Sequence, residues 1–257
     1  MNTMILNGFK LAYEQRGRGR SLVLMHGYPL EASIWEPVVP LLENDFDLIL
    51  PDLRGFGESD LPAGPYGMAD LAADIAALLD ALDVWQAIIA GHSMGGYAAL
   101  AFARGYPQRT LGLGLVASQV LADTPEKKAG RYQEAEHVLA HGVREVAEGM
   151  SVKLTPDTEL QARLKALILR QRPEGLAGAL RAMADRPDSS ALLPGCVFPV
   201  VLIHGLTDGL IPVERARSLK AAVPQAQLTE IPGVGHMPMM EAMEVTAEAI
   251  KRGFRSL

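Results

Sequence analysis

The chain has 257 residues, 49% of them hydrophobic and 21% charged, a composition that suits a soluble globular enzyme with one sizeable core. Its formal charge of −6, with no run of Lys or Arg, argues against a nucleic-acid surface, and no uninterrupted apolar stretch is long enough for a membrane span. The single cysteine, Cys196, cannot form an internal disulfide, and the opening MNTMILNGFKLAYEQ lacks a signal peptide's apolar centre, so a cytoplasmic location is expected.

In chain order, Met4–Asn7 and Phe9–Gln15 read as a hairpin turning at Asn7-Gly8. Apolar runs of strand length follow at Ser21–Met25, Phe46–Leu50, Ala87–Ala90, Leu111–Ala117, Pro199–Ile203 and Gln227–Ile231. Between most of them lie helical patterns: Ser33–Leu42, Met68–Leu82, Met94–Tyr106, Val213–Ala222 and Glu241–Phe254. Strands separated by helices imply a mostly parallel sheet covered on both faces. Residues 119–194 depart from the alternation. They show helical periodicity alone, punctuated by Pro125, Pro156, Pro173, Pro187 and Pro194, and read as a helical insertion into a core formed by 1–118 and 195–257.

Residues 91–96, GHSMGG, crowd glycines around Ser93 at the junction of a strand and a helix. A serine held on so sharp a turn is strained, and side chains two positions either side would collide with it, so Gly91 and Gly95 supply clearance. The positive end of the helix starting at Met94 favours negative charge developing there. The pattern is that of an activated nucleophile. A serine hydroxyl needs a base, and the chain has six histidines. His92 should point away from its neighbour, and His26 and His204, each preceding a glycine at a strand end, suit loop fixing. His137 and His141, at i,i+4, fit a solvated helix face better than half a metal site. His236, in the flexible PGVGH turn after the last strand, can reach over the sheet edge. Asp208, in a loop after Pro199–Ile203, would orient it, with Asp123 in reserve. Donors for an oxyanion are expected from the backbone N–H groups of Tyr28, in the HGYP turn, and Met94; Pro29 has no N–H to offer.

Taken in this order, HGYP at 26–29, Asp52-Leu-Arg54-Gly55-Phe-Gly57-Glu-Ser59, GHSMGG, Asp208 and PGVGH resemble the α/β-hydrolase superfamily. The likeness is to the branch of small bacterial esterases, enol-lactonases, carbon–carbon hydrolases and cofactor-free haloperoxidases. It implies an α/β fold with an eight-stranded, mostly parallel sheet and a helical cap after the sixth strand, which 119–194 would form. It also implies a structural role for Arg54, and the serine at the elbow, where some relatives carry aspartate, points to acyl transfer. The expected activity is hydrolysis of a small, largely apolar carboxylic ester or lactone through an acyl-enzyme on Ser93, His236 and Asp208, with no cofactor and no metal. Carbon–carbon hydrolysis, perhydrolysis and a ligand receptor on the same fold remain the alternatives, and no residue pattern sets the oligomeric state. Leu154, Leu164, Leu167, Ile168, Leu176, Leu180 and Met183 are expected to build the cap's own core. Met237, Met239 and Met240 offer either an apolar wall beside the base or plain packing. Of the cap arginines, Arg163, Arg170, Arg172 and Arg181, one would meet a substrate carboxylate if the substrate has one; otherwise all four are solvated.

Overall fold

At the first turn Asn7 and Gly8 both take positive φ (51° and 84°), the mirror-image turn that suits the twist of a two-residue hairpin. Across it β1 (Asn2–Leu6) and β2 (Phe9–Gly17) pair antiparallel. The computed structural model describes residues 1–255 and 257. The remaining strands are β3 (Arg20–Met25), β4 (Phe46–Pro51), β5 (Ala87–His92), β6 (Thr110–Val116), β7 (Val200–Gly205) and β8 (Gln227–Ile231). They form one eight-stranded sheet in the order β1-β2-β4-β3-β5-β6-β7-β8, antiparallel only where β2 meets its neighbours. All six residues of β5 and of β7 are buried, as strands covered on both faces require. The chain steps from β3 outward to β4, then returns to place β5 on the other side of β3. At such a reversal the loops leaving the carboxyl ends of the two inner strands diverge and leave a crevice between them.

The helices are α1 (Val39–Leu42), α2 (Met68–Ala81), α3 (Met94–Gly105), α4 (Pro125–His141), α5 (Arg144–Leu154), α6 (Thr158–Leu169), α7 (Pro173–Ala184), α8 (Glu214–Ala222), α9 (Pro238–Glu241) and α10 (Met243–Phe254). Two differ from the sequence reading. Ser33–Leu42 is not one helix but a 3-10 turn at Ala32–Trp35 followed by the single turn of α1. A ten-residue helix would put Pro37 and Pro40 in its interior, each without an N–H to donate. The last helix starts at Met243, because Ala242 leaves the helical region (φ −146°, ψ 63°) and Glu241 ends the separate turn α9. Helices α4–α7 all lie between β6 and β7, with α4 packed on α7 and α5 on α6. Leu154, Leu164, Ile168, Leu176, Leu180 and Met183 are buried among them, and Leu167 is partly so.

The loop after β4 is fixed by buried polar groups. Asp52 accepts the N–H groups of Ala32 and Glu58, both at 2.9 Å. Ser59 Oγ donates to the Asp52 carbonyl (2.6 Å) and accepts from the Ala12 N–H (2.8 Å). Gly57, at φ +49°, has no room for a Cβ against the Asp52 carboxylate. Arg54 makes two 2.6 Å bonds to Asp74 and lies over the Phe9 and Tyr66 rings, the structural role expected of it. The Leu53 N–H donates to His26 Nε2 (2.9 Å), so His26 does fix a loop.

Burial moves these two titratable groups in opposite senses. Desolvation, against a weaker backbone bond to Gly27, pushes the His26 imidazole down to about 4. Desolvation pushes the Asp52 carboxyl up to about 6, although its two N–H donors oppose it. On acidification the unfolded chain protonates His26 at 6.5 while the folded chain refuses, so between pH 6.5 and 4 this group costs about 3 kcal/mol of stability. Asp52 does the reverse, since the folded carboxyl protonates at about 6 and the unfolded one at 3.8, and it returns about 3 kcal/mol. Asp52→Asn abolishes only the second response. Urea unfolding from pH 7 to pH 4 should show the variant losing about 2 kcal/mol more than the parent over that interval. Parallel curves would refute opposed titrations.

Candidate active site

Ser93 sits between the last residue of β5 and the first of α3 with φ 50° and ψ −110°, a conformation that L-residues avoid. Both polar groups of its backbone are tied down: its N–H donates to the Val116 carbonyl (2.9 Å), and its carbonyl accepts from the Gly96 N–H (3.0 Å) and Ser118 Oγ (2.8 Å). The surrounding glycines are a steric requirement. A Cβ on Gly91 would run into the Gly95 backbone, and one on Gly95 would stand 2.5 Å from the Met25 carbonyl oxygen. Met94, as the first residue of α3, has an N–H with no carbonyl partner inside the helix.

His236 and Asp208 come together as the sequence order suggested. Their Nδ1 and Oδ2 atoms are 2.7 Å apart, and both side chains are almost wholly buried. The other carboxylate oxygen of Asp208 accepts the N–H groups of Leu210 (2.9 Å) and Ile211 (3.0 Å). A second imidazole was not foreseen there: His204 Nε2 lies 3.3 Å from Asp208 Oδ2 and 2.7 Å from the Ile211 carbonyl. Facing two acceptors, that nitrogen must carry hydrogen. The i,i+4 spacing of His204 and Asp208 was the available signal. Burial alone would raise the Asp208 carboxyl, but the bonds from His204 and His236, the charge of His236 and the Ile211 N–H outweigh it and hold Asp208 well below the usual carboxylate range.

The turn carrying His236 is pinned on several sides. Glu241 accepts the N–H groups of Gly235 and Met237, the two residues flanking the histidine, with both bonds at 2.9 Å. The His236 N–H donates to the Leu154 carbonyl at the end of α5 (2.9 Å), and His92 Nε2 donates to the His236 carbonyl (2.8 Å). His92 thus serves the loop and not the serine, as expected. Burial first, and the neighbouring His236 second, keep its imidazole well below the ordinary range and therefore neutral. Glu241 escaped the sequence reading because it was counted into the final helix.

Ser93, His236 and Tyr28 line one cavity of about 210 Å³. Met150, Leu180, Met183, Leu210 and Ile211 form its apolar wall, and Lys127, Arg131, Glu134 and Lys153 bring charge that was not anticipated. None of the four arginines singled out from the sequence reaches it. Arg170 pairs with Glu31 and Arg181 with Glu136, Arg172 donates to the Ser59 carbonyl, and Arg163 is exposed. Met237 and Met239 are fully buried and Met240 partly, away from the cavity lining. Asp123, the reserve partner for His236, instead accepts from Arg131 (2.5 Å) and Arg186 (2.8 Å). The rings of His137 and His141 stack at the surface, with Glu145 on His137; among the described residues no three metal-ligating side chains cluster.

A profile of the α/β-hydrolase fold matches residues 20–242, and the chain belongs to that family. It is 36% identical to a thermophilic esterase from Thermogutta terrifontis solved with malate bound, with a TM-score of 0.94 over 99% of this chain and 98% of that one. It is 31% identical to a pimeloyl-[acyl-carrier protein] methyl ester esterase of Yersinia enterocolitica over 244 residues, 89% of this chain and 91% of the relative. The enol-lactonase from Burkholderia xenovorans LB400, 24% identical, shares the fold with a TM-score of 0.90 over the full length of both chains. Among the described residues no helix is long and apolar enough to cross a membrane.

The clearance around Ser93 predicts a contrast between two glycines of α3. Gly95→Ala sets a methyl against a backbone oxygen that cannot yield and should cost about 3 kcal/mol or more, whereas Gly105, with nothing within 4 Å, should accept alanine. Chemical denaturation of both variants checks this, and equal stabilities would contradict the steric account.

Proposed function

We propose that this chain is a cofactor-independent serine hydrolase that cleaves a small carboxylic ester or lactone through an acyl-enzyme. One observation carries the reading: the His236 imidazole is held at 2.7 Å by a buried carboxylate and lines the same cavity as the strained Ser93. In this mechanism His236 takes the proton of Ser93 Oγ as the oxygen attacks the carbonyl carbon. Asp208 fixes the imidazole tautomer with Nδ1–H towards itself and stabilises the imidazolium. The N–H groups of Tyr28 and Met94 receive the oxyanion, the latter at the positive end of α3. The alcohol leaves with the proton from His236, and water repeats the sequence on the acyl-enzyme.

Residues 119–194 act as the cap in this reading, since Met150, Leu180 and Met183 roof the cavity from α5 and α7. The cavity volume of about 210 Å³ supports short substrates. The names of the relatives, an esterase and a methyl ester esterase, support an ester over a carbon–carbon bond or a peracid.

A fluorophosphonate probe should add a single label that Ser93→Ala abolishes; labelling that persists, or that falls on Ser59 or Ser118, would refute the nucleophile. Asp208→Asn should fold yet lose about four orders of magnitude in kcat, because the imidazole then favours the wrong tautomer. A purified-enzyme panel of esters, lactones and diketones fixes the bond type. Esters of about two to six acyl carbons should outpace those beyond ten. A steady rise towards long chains, or a preference for diketones, would overturn the substrate assignment.

A further inference from the structure

The cavity wall is more than an apolar slot. Lys127 and Arg131 of α4 and Lys153 of α5 all line it, against one carboxylate, Glu134. Resting on the hydrolase reading above, we propose that Arg131, Lys127, Lys153 and the Tyr28 hydroxyl form a subsite for a carboxylate, so that the ester or lactone cleaved carries a second, ionised carboxyl group.

Arg131 is the best prepared of the four. Its Nε is held at 2.5 Å by Asp123, itself buried and gripped from the other side by Arg186. Nη1 touches the Met183 sulfur at 3.5 Å, and Nη2 has no acceptor among the described residues. The guanidinium is therefore oriented, only partly exposed and left with unused donors at the cavity, the geometry in which arginine binds a flat two-oxygen group. Lys127 stands 3.9 Å from Asp123, too far for a hydrogen bond, and burial and the Arg131 charge pull its ammonium below the ordinary value. Lys153, exposed where it lines the cavity, has no ion pair among the described residues. Arg131, Arg186 and Lys127 share the one carboxylate of Asp123, and with Lys153 against Glu134 they leave positive charge that a substrate anion would neutralise.

Tyr28 supplies the independent observation. The residue is 6% exposed, and its hydroxyl is buried with no hydrogen-bond partner among the described residues, a costly state unless something entering the cavity satisfies it. Burial first, then the charge of Glu134, raise the phenol well above its ordinary range, so it is a proton donor. The same residue would then offer its N–H to the oxyanion and its O–H to the distant carboxylate, fixing both ends of a short substrate. Glu134, which has no cation within salt-bridge distance among the described residues, works against the anion and limits where it can lie.

The test compares kcat/KM for matched acidic and neutral esters: monomethyl glutarate against methyl butyrate for a charge on the acyl side, and acetoxyacetate against its methyl ester for a charge on the alcohol side. One acidic member should be preferred by about ten-fold, and salt at about 0.5 M should erode the preference. Lys127→Gln and Lys153→Gln should each lower the acidic-to-neutral ratio about three- to ten-fold, and Tyr28→Phe should lower it too, while Glu134→Gln raises it. Lys165→Gln, which removes an outward-facing cation paired with Glu148, should leave the ratio alone. Neutral esters cleaved with no acidic preference in either pair, or a ratio that these variants do not move, would overturn the subsite alone. Turnover of no ester together with an unlabelled Ser93 would overturn the hydrolase reading, and the subsite with it.

Discussion

A carboxylate taken wholly out of water survives only if donors replace the water, and Asp208 has four: two imidazoles and two backbone N–H groups. Those donors come from different parts of the chain. His204 is the penultimate residue of β7, Leu210 and Ile211 lie in the loop that follows the strand, and His236 arrives from beyond β8. Satisfying one buried charge therefore fixes the relation of two neighbouring loops at the carboxyl edge of the sheet. Glu241 and His92 then hold the arriving loop by its backbone, so the imbalance of a buried anion is resolved by order in the segment around it.

The other half of the site depends on contact between backbones. β3 and β5 pair with Met25 opposite Gly91, so the turns leaving both strands start side by side. Gly95 lies against the Met25 carbonyl, and Gly91 against Gly95. Glycine at these positions lets α3 begin almost on top of the β3 exit, which brings Tyr28 and Ser93 to one cavity. The strand reversal supplies the crevice, and the absent side chains allow it to be narrow.

What the sequence made legible was whatever is encoded over short spans. Each strand showed as a compact apolar run, the Asn7-Gly8 turn by residue type, and the elbow by glycines within three residues of Ser93. His236 and Asp208 were reachable because each sits in a loop directly after a strand. Pro37 and Pro40 impose a break that the apolar pattern around them conceals. The cavity cations were hidden for a different reason. Lys127, Arg131 and Lys153 lie on helices whose polar residues all look alike until α4 and α5 are placed over the sheet, whereas Arg170, Arg181 and Arg172 face Glu31, Glu136 and the Ser59 carbonyl and Arg163 is exposed. Glu241 and His204 act through atoms of residues they precede or follow by only a few positions, but the need for them is created by His236 and Asp208, far apart in sequence.

The bond from the His236 N–H to the Leu154 carbonyl ties the loop that carries the imidazole to the end of α5. Leu154 ends α5, which packs on α6, while α4 packs on α7 as a separate pair. The first pair is moored to the imidazole's own peptide. Raising it from the sheet would pull on that peptide, so displacing α5 and disturbing the imidazole–carboxylate contact are one mechanical event. Among the described residues the pair formed by α4 and α7 has no such hydrogen bond to His236, so a displacement of that pair would not pull on the histidine's peptide.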